Sequence, residues 1–210
     1  MSLHGTQIRL STDVRAAVQE RRSIRSFRDD PVPSELVREL LVTASWAPSP
    51  HNSQPWRFTV LTRRADKQAL AVAMAYRMAA ELRVEGVDDL TIRRQAERSC
   101  TRISDAPIVI LCSLSPDGLA THQEERRSAL EWQMAVQSMG AALQTLFLLA
   151  DQEGLGTCWM AAPMYCPDVV RSALDLDPEL SPQALVLMGY PATAGKMRAR
   201  RSPEDAIDFR

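Results

Sequence analysis

Lysine is nearly missing from this sequence. Only Lys67 and Lys196 are lysines among its 25 basic residues, and the others are arginines. An excess of either charge is missing too, because 26 acidic residues leave a formal net charge of -1. No global field gathers DNA, RNA or anionic membrane around such a chain, so a nucleic-acid binder starts behind other readings. The four cysteines, Cys100, Cys112, Cys158 and Cys166, form no CxxC pair and show no metal-ligand spacing. That excludes a disulfide scaffold or zinc ribbon and reads as the reduced thiols of a cytoplasmic protein. The amino terminus has no signal-peptide apolar stretch, and no window reaches the roughly 18 apolar residues of a membrane helix.

What is there is ordinary globular material. Across 210 residues, 45% are hydrophobic and 24% charged, which excludes a disordered or collagen-like chain. Folding a chain of this size buries roughly 70% of its unfolded surface, enough for a substantial core. No repeat, linker or low-complexity segment divides it, and one α+β domain over residues 1–210 with an extended tail is expected.

Patterning places the elements. A short helix is expected from Asp13 to Arg22, capped by Thr12 or Asp13, with Val14, Ala17 and Val18 on one face. After Pro31 and Pro33, Ser34 is expected to cap a second helix carrying Leu36, Val37, Leu40, Leu41 and Ala44 at the 3.6 period. A loop follows, and Trp56 to Leu61 alternates like a strand. Lys67 to Glu85 and Asp88 to Ser99 read as polar helices. Ile108 to Leu114, between Pro107 and Pro116, reads as a buried strand. The longest helical pattern runs from about Glu124 to Glu153 and is apolar on many sides, which calls for a partner subunit to cover it. Strands at Thr157 to Met160 and Ala184 to Gly189, a helix at Pro167 to Leu174, and a polar tail from Pro191 complete the chain.

Three islands carry possible chemistry. Arg21-Arg22-Ser23-Ile24-Arg25 sets guanidinium forks beside a hydroxyl, the groups that hold phosphate, although an isolated arginine run is usually a solvated surface. In Pro48-Ser49-Pro50-His51-Asn52-Ser53-Gln54-Pro55-Trp56, prolines stiffen a loop whose amides both donate and accept, which suits a flat heteroaromatic edge; the plain alternative is a turn before a strand. Gly154-Leu155-Gly156-Thr157-Cys158-Trp159 either caps the long helix or opens a site, and the tail holds Arg198-Ala199-Arg200-Arg201. His51 and His122 read as ordinary loop hydrogen bonders, His4 falls in an end expected to be disordered, and Cys158 reads as a buried structural thiol.

Taken in order, RRSIRSF, APSPHNSQPWRF, GLGTCW and GYP with its basic tail resemble the FMN-dependent nitroreductase family over nearly the whole chain. The resemblance implies a mixed or antiparallel sheet flanked by helices and an intertwined homodimer with the long helix in its interface. It also implies two FMN sites, each built by both subunits. Matched residue by residue, it puts Arg21, Arg22 and Ser23 at the FMN phosphate and ribityl chain, and Arg25 at the pyrimidine edge. Pro48, Ser49, Pro50, Asn52 and Gln54 become the flavin-contacting loop, and Ala161 and Ala162 lie against the ring through backbone groups. Arg198 and Arg200 fit the tail's basic pair, with Lys196 and Arg198 sharing the spacing. The family's usual contact from the middle helices has no match between Arg77 and Arg102.

The implied activity is electron transfer from NAD(P)H through flavin to a nitroaromatic, quinone or similar small acceptor in alternating half-reactions. Flavin N5 carries the chemistry, and no catalytic side chain, metal, membrane or nucleic-acid partner is required. ISDAP, PDG, GAALQ and GLGTCW further resemble the flavin-binding domain of the bifunctional glutamyl ligase of the deazaflavin coenzyme. That likeness suggests, as alternatives, reduction of a dehydro-deazaflavin precursor or a flavin carrier without catalysis.

Overall fold

The computed structural model describes residues 14–210. Helices α1 (Val14–Glu20) and α2 (Ser34–Ala44) lead into strand β1 (Trp56–Leu61), followed by α3 (Arg64–Val84), α4 (Asp89–Asp105) and β2 (Ile108–Leu114). Then come α5 (Glu125–Gln152), β3 (Gly156–Met160), α6 (Pro167–Ala173) and β4 (Ser181–Gly189), with short 3₁₀ turns at Pro50–Asn52, Ala162–Tyr165 and Pro203–Asp205. This is the expected α+β arrangement. Among the described residues no helix is long and apolar enough to cross a membrane.

The four strands form one sheet in the order β1-β2-β4-β3, and every neighbouring pair is antiparallel. β2 lies inside the sheet with all seven residues buried, which explains its unbroken apolar sequence: successive side chains enter two different cores. Ile108, Ile110, Cys112 and Leu114 join the core under α2 and α5, while Val109 and Leu111 join the core packed with α3 and α6. α5 buries Ala135, Ser138, Met139, Ala142, Leu143, Leu146, Phe147 and Ala150 in the first core. Its other sides leave Leu130 48% and Val136 39% exposed.

Several boundaries differ from the sequence reading. Ser34 does not cap α2: the N-cap is Pro33, and no side chain caps the helix end. Val14 and Val18 of α1 face solvent, and only Ala17 is buried. The caps expected at Thr12 or Asp13 lie outside the described residues. α4 continues six residues past Ser99 because Ile92 and Ile103, eleven apart and so three turns along one face, are both buried. All four cysteines are free thiols.

The α4–β2 corner rests on a buried cation. Lys67 is only 5% exposed, and its Nζ donates to the carbonyls of Ala106 at 2.5 Å and Pro107 at 3.1 Å. The ammonium satisfies the helix-terminal acceptors that α4 cannot pair itself. Burial pushes the Lys67 pKa down, Arg64 adds to that effect, and Asp105 opposes it.

Two expectations follow. Lys67→Met leaves two carbonyls without their donor and costs about 1–3 kcal/mol of unfolding free energy, read by denaturant titration. The unfolded chain binds the Lys67 proton more tightly than the folded one, so stability rises with pH towards the ordinary lysine range. The gap between wild type and the methionine variant therefore widens from pH 7 to pH 10; a constant gap would show that the cation is not strained by burial. At Gly156, an added Cβ would lie 2.6 Å from Cβ and Cγ1 of Ile24. Gly156→Ala is expected to lower stability by about 1–3 kcal/mol in the same titration.

Candidate functional site

The first arginine island is fastened to the sheet. Ile24 N–H donates to the Thr157 carbonyl at 2.8 Å, and Ser23 forms an isolated parallel bridge with Thr157. Arg28 N–H donates to the Tyr190 carbonyl at 2.8 Å, and Ala192 N–H to the Ser26 carbonyl at 3.0 Å. Residues 23–28 thus run as a strap from the outer edge of β3 to the start of the tail. Gly195 lets the tail come down on Arg22, where a Cβ would collide with the Arg22 side chain.

Strap and tail enclose a cavity of about 1220 Å³. Arg21, Arg22, Ser23 and Arg25 line it from one side, Lys196, Arg198 and Arg200 from the other, and Arg102 of α4 joins them. Seven cations therefore face one space, and no carboxylate lines it among the described residues. Both candidate tail pairs, Arg198 with Arg200 and Lys196 with Arg198, are in reach of it. Arg102 was not singled out from the sequence. The spacing of Ile92 and Ile103 was the available signal, since it carries α4 through Arg102.

Arg21 is held by its surroundings rather than by a carboxylate bond. Its guanidinium carbon lies 5.9 Å from the Phe147 ring centroid, and Phe147 meets Trp159 edge-on at 6.0 Å. Its Nε is buried without a hydrogen-bond partner, a donor left for an acceptor from outside the chain. Asp151 nearby has its pKa raised by burial, with Arg21 and Arg22 opposing the shift and Glu20 adding to it. Arg22 is turned onto main chain, donating to Gln19 O at 2.5 Å and Arg21 O at 2.9 Å. Burial raises the Cys158 pKa against Arg25 and Arg102, so this thiol is a packing group and not a nucleophile.

The second island lies elsewhere. Strand register puts Trp56 beside Leu114 and Leu114 beside Ser181, at the opposite end and the opposite edge of the sheet from Thr157. With strands about 4.8 Å apart and about 3.3 Å per residue, that diagonal is on the order of 25 Å. Pro48, Ser49, Pro50, Asn52 and Gln54 do not line the arginine cavity of their own chain, and neither do Ala161 and Ala162, which follow the far end of β3.

The loop is nonetheless a strained, built structure. His51, Asn52 and Gln54 have φ of 53°, 54° and 44°, a left-handed region that costs non-glycine residues about 1–3 kcal/mol each. Ser49 Oγ accepts from Gln54 N–H at 3.0 Å, and Ser53 Oγ is buried with no partner. His51 is exposed, and His122 sits 3.4 Å from Glu131 through Nε2; neither lines the cavity.

Comparison with known proteins agrees with this geometry. The chain is 32% identical over 222 residues to a Thermus thermophilus NADH dehydrogenase, covering 94% of this chain and 96% of that one. It is 32% identical over 185 residues to a 5,6-dimethylbenzimidazole synthase of Rhodospirillum rubrum, covering 84% and 81%. A Desulfovibrio desulfuricans structure solved with FMN and described as a candidate nitroreductase superimposes with a TM-score of 0.71 at 28% identity, covering 94% and 96%. The fold is also that of a Mycobacterium smegmatis FMN-dependent nitroreductase solved with NADPH, with a TM-score of 0.73 at 23% identity, covering 93% and 97%. The nitroreductase family model matches residues 18–190, a span that includes the arginine strap, the strained loop and all four strands, and the chain belongs to the nitroreductase family.

Proposed function

We propose that this protein is a cytoplasmic FMN-dependent oxidoreductase. It draws electrons from NAD(P)H and passes them to a small electron-poor acceptor, a nitroaromatic or a quinone, in alternating half-reactions at one shared site. The observation that carries this reading is the arginine cavity: seven cations with no lining carboxylate among the described residues, on a chain of net charge -1. Charge of one sign concentrated in a single cleft is the signature of an anionic ligand. The space exceeds the roughly 300–1,000 Å³ of common small-molecule sites, so it suits a long cofactor with a phosphate tail.

The residues present fit FMN. Arg21, Arg22 and Ser23 hold the phosphate end together with Arg198 and Arg200, and the orphaned Arg21 Nε gains its acceptor there. Arg25 and Arg102 set positive charge where it favours the arrival of electrons. Ala161 and Ala162 lie about four residues along the β3 edge and present main chain for a planar body to rest on. Bound in this position, FMN supplies the electron transfer itself. The chain binds it, orients it and sets the field around it, which is why no nucleophile, general acid or metal set is needed.

The remaining wall comes from a second copy of the chain. The 48–54 loop cannot reach the cavity of its own protomer, and apolar side chains lie bare around it and along α5. Trp46 is 87% exposed, Val42 is exposed, and Leu130 and Val136 of α5 are half-exposed. Side chains of this kind in one region call for a partner surface. A homodimer that crosses the loop of each subunit onto the cavity of the other completes both sites.

A second reading keeps the pocket and changes the acceptor. Identity to a dimethylbenzimidazole synthase favours biosynthetic chemistry, and the motif likeness to the deazaflavin ligase domain suggests a dehydro-deazaflavin precursor. Poor turnover of nitro compounds and quinones beside rapid turnover of such a precursor would select it. Full re-oxidation resistance towards every acceptor would instead mark a flavin carrier.

Three measurements test the proposal. The purified protein is expected to show twin flavin absorbance bands that bleach with NAD(P)H in the absence of oxygen. Arg198→Gln with Arg200→Gln is expected to weaken FMN binding about 10- to 100-fold and to flatten its salt dependence. A colourless protein that cannot be reconstituted with FMN would sink the reading. For the shared site, an Arg21→Glu chain and an Asn52→Ala/Gln54→Ala chain, each inactive alone, are co-expressed. Random pairing restores about one quarter of the intact sites, because half the dimers are mixed and each of these holds one sound site. No restoration would mean that each site is built within one chain.

A further inference from the structure

The strained loop is tied within itself by Gln54 N–H to Ser49 Oγ and by Asn52 N–H and Ser53 N–H to the carbonyls of Ser49 and Pro50. Three non-glycine residues in left-handed conformation within four positions set a further cost against those bonds. The turn after β2 braces the loop from outside. Ser115 N–H donates to the Pro55 carbonyl at 2.8 Å, and the Ser115 hydroxyl donates to Asp117 Oδ2 at 2.8 Å. Asp117 Oδ2 in turn lies 3.2 Å from Arg57 Nη2. The Arg57 guanidinium then donates back through Nη1 to the carbonyls of Gln54 at 3.3 Å and Trp56 at 3.0 Å. At the end of the same turn Gly118, with φ of +78°, abuts the loop, where a Cβ would stand 3.1 Å from the Ser53 carbonyl oxygen.

We propose that Arg57, oriented by Asp117, and the stop formed by Gly118 are positioning residues that keep the 49–54 loop in its ligand-ready conformation. The proposal rests on the reading that this loop meets the flavin of the partner protomer, and it goes beyond it by assigning the residues that set the loop's shape. A planar fork is required at position 57, because one guanidinium serves a carboxylate and two main-chain carbonyls together. Asp117 ties that fork to the turn after β2, since its Oδ2 also accepts from the Ser115 hydroxyl. As an exposed ion pair it adds little stability of its own, so its loss changes the population of the competent loop and not the fold. Apparent affinity falls in proportion to that population.

The experiment uses the purified flavin-free protein, titrated with FMN, in five forms: wild type, Arg57→Gln, Arg57→Lys, Asp117→Asn, and Arg57→Gln combined with His51→Gly. FMN affinity is measured by fluorescence quenching, and the amide resonances of Ser53 and Gln54 are recorded without flavin. Arg57→Gln is expected to move both resonances and weaken FMN binding about tenfold, with the apoprotein melting midpoint nearly unchanged. Asp117→Asn should do the same to a smaller extent. Glycine at position 51 removes part of the left-handed penalty, so the loss caused by Arg57→Gln shrinks in that background. Arg57→Lys should fail to rescue.

Unmoved resonances would overturn the brace whatever happens to FMN. Moved resonances with unchanged FMN affinity would overturn the positioning role. Failure of the wild type to bind FMN at all would instead defeat the oxidoreductase reading, and the resonances would still report whether Arg57 holds the loop.

Discussion

The site depends on one attachment, the pairing of residues 23–28 with Thr157 of the outer strand and with residues 190–192 after β4. Without the bonds from Ile24 to Thr157, Arg28 to Tyr190 and Ala192 to Ser26, the arginines of residues 21–25 would be a solvated run at the end of a seven-residue helix. Fastened there, they face the tail across a fixed gap. The requirement reaches back into the sequence: Gly156 is buried and without a side chain because Ile24 occupies that space. The strap also pairs the outer side of β3 at Thr157, where the main chain would otherwise be open to any passing strand.

Cost and use of charge are balanced differently in the two parts of the molecule. In the interior, Lys67 is tolerated because its ammonium donates hydrogen bonds to two carbonyls. In the cavity, seven cations crowd together with no acid in the lining among the described residues; Asp151 offsets Arg21 and Arg22 in part, and an anionic ligand relieves the rest of the repulsion. The strained 48–54 loop stores a second such cost. Both lie where a ligand is proposed to sit, in keeping with the tendency of local strain and uncompensated charge to gather at functional sites.

Much of the fold was legible because its signals are local. β2 reads as a seven-residue apolar run, and α5 as a long pattern recurring every three to four residues. What escaped the sequence reading depended on contacts made far along the chain. The pattern reads α4 as ending at Ser99 because its apolar face is thin, and the eleven-residue spacing of Ile92 and Ile103 becomes a helix signal once both are seen to be buried. Arg102 was lost with that stretch. Val14 and Val18 have helical spacing, yet only Ala17 meets the core, and periodicity alone cannot say what a face packs against.

Sequence by itself determined the α+β class, the near-neutral charge, and the chemistry of the arginine and amide islands, because residue type and short-range order decide those properties. Tertiary structure decided where the islands lie. It drew Arg21 and Arg25, Arg102, and Arg198 into one cavity from three separate parts of the chain and left Asn52 and Gln54 at the far corner of the sheet. The physical reason is register: which edge and which end of a sheet a loop occupies follows from long-range strand pairing, and no local pattern encodes that distance.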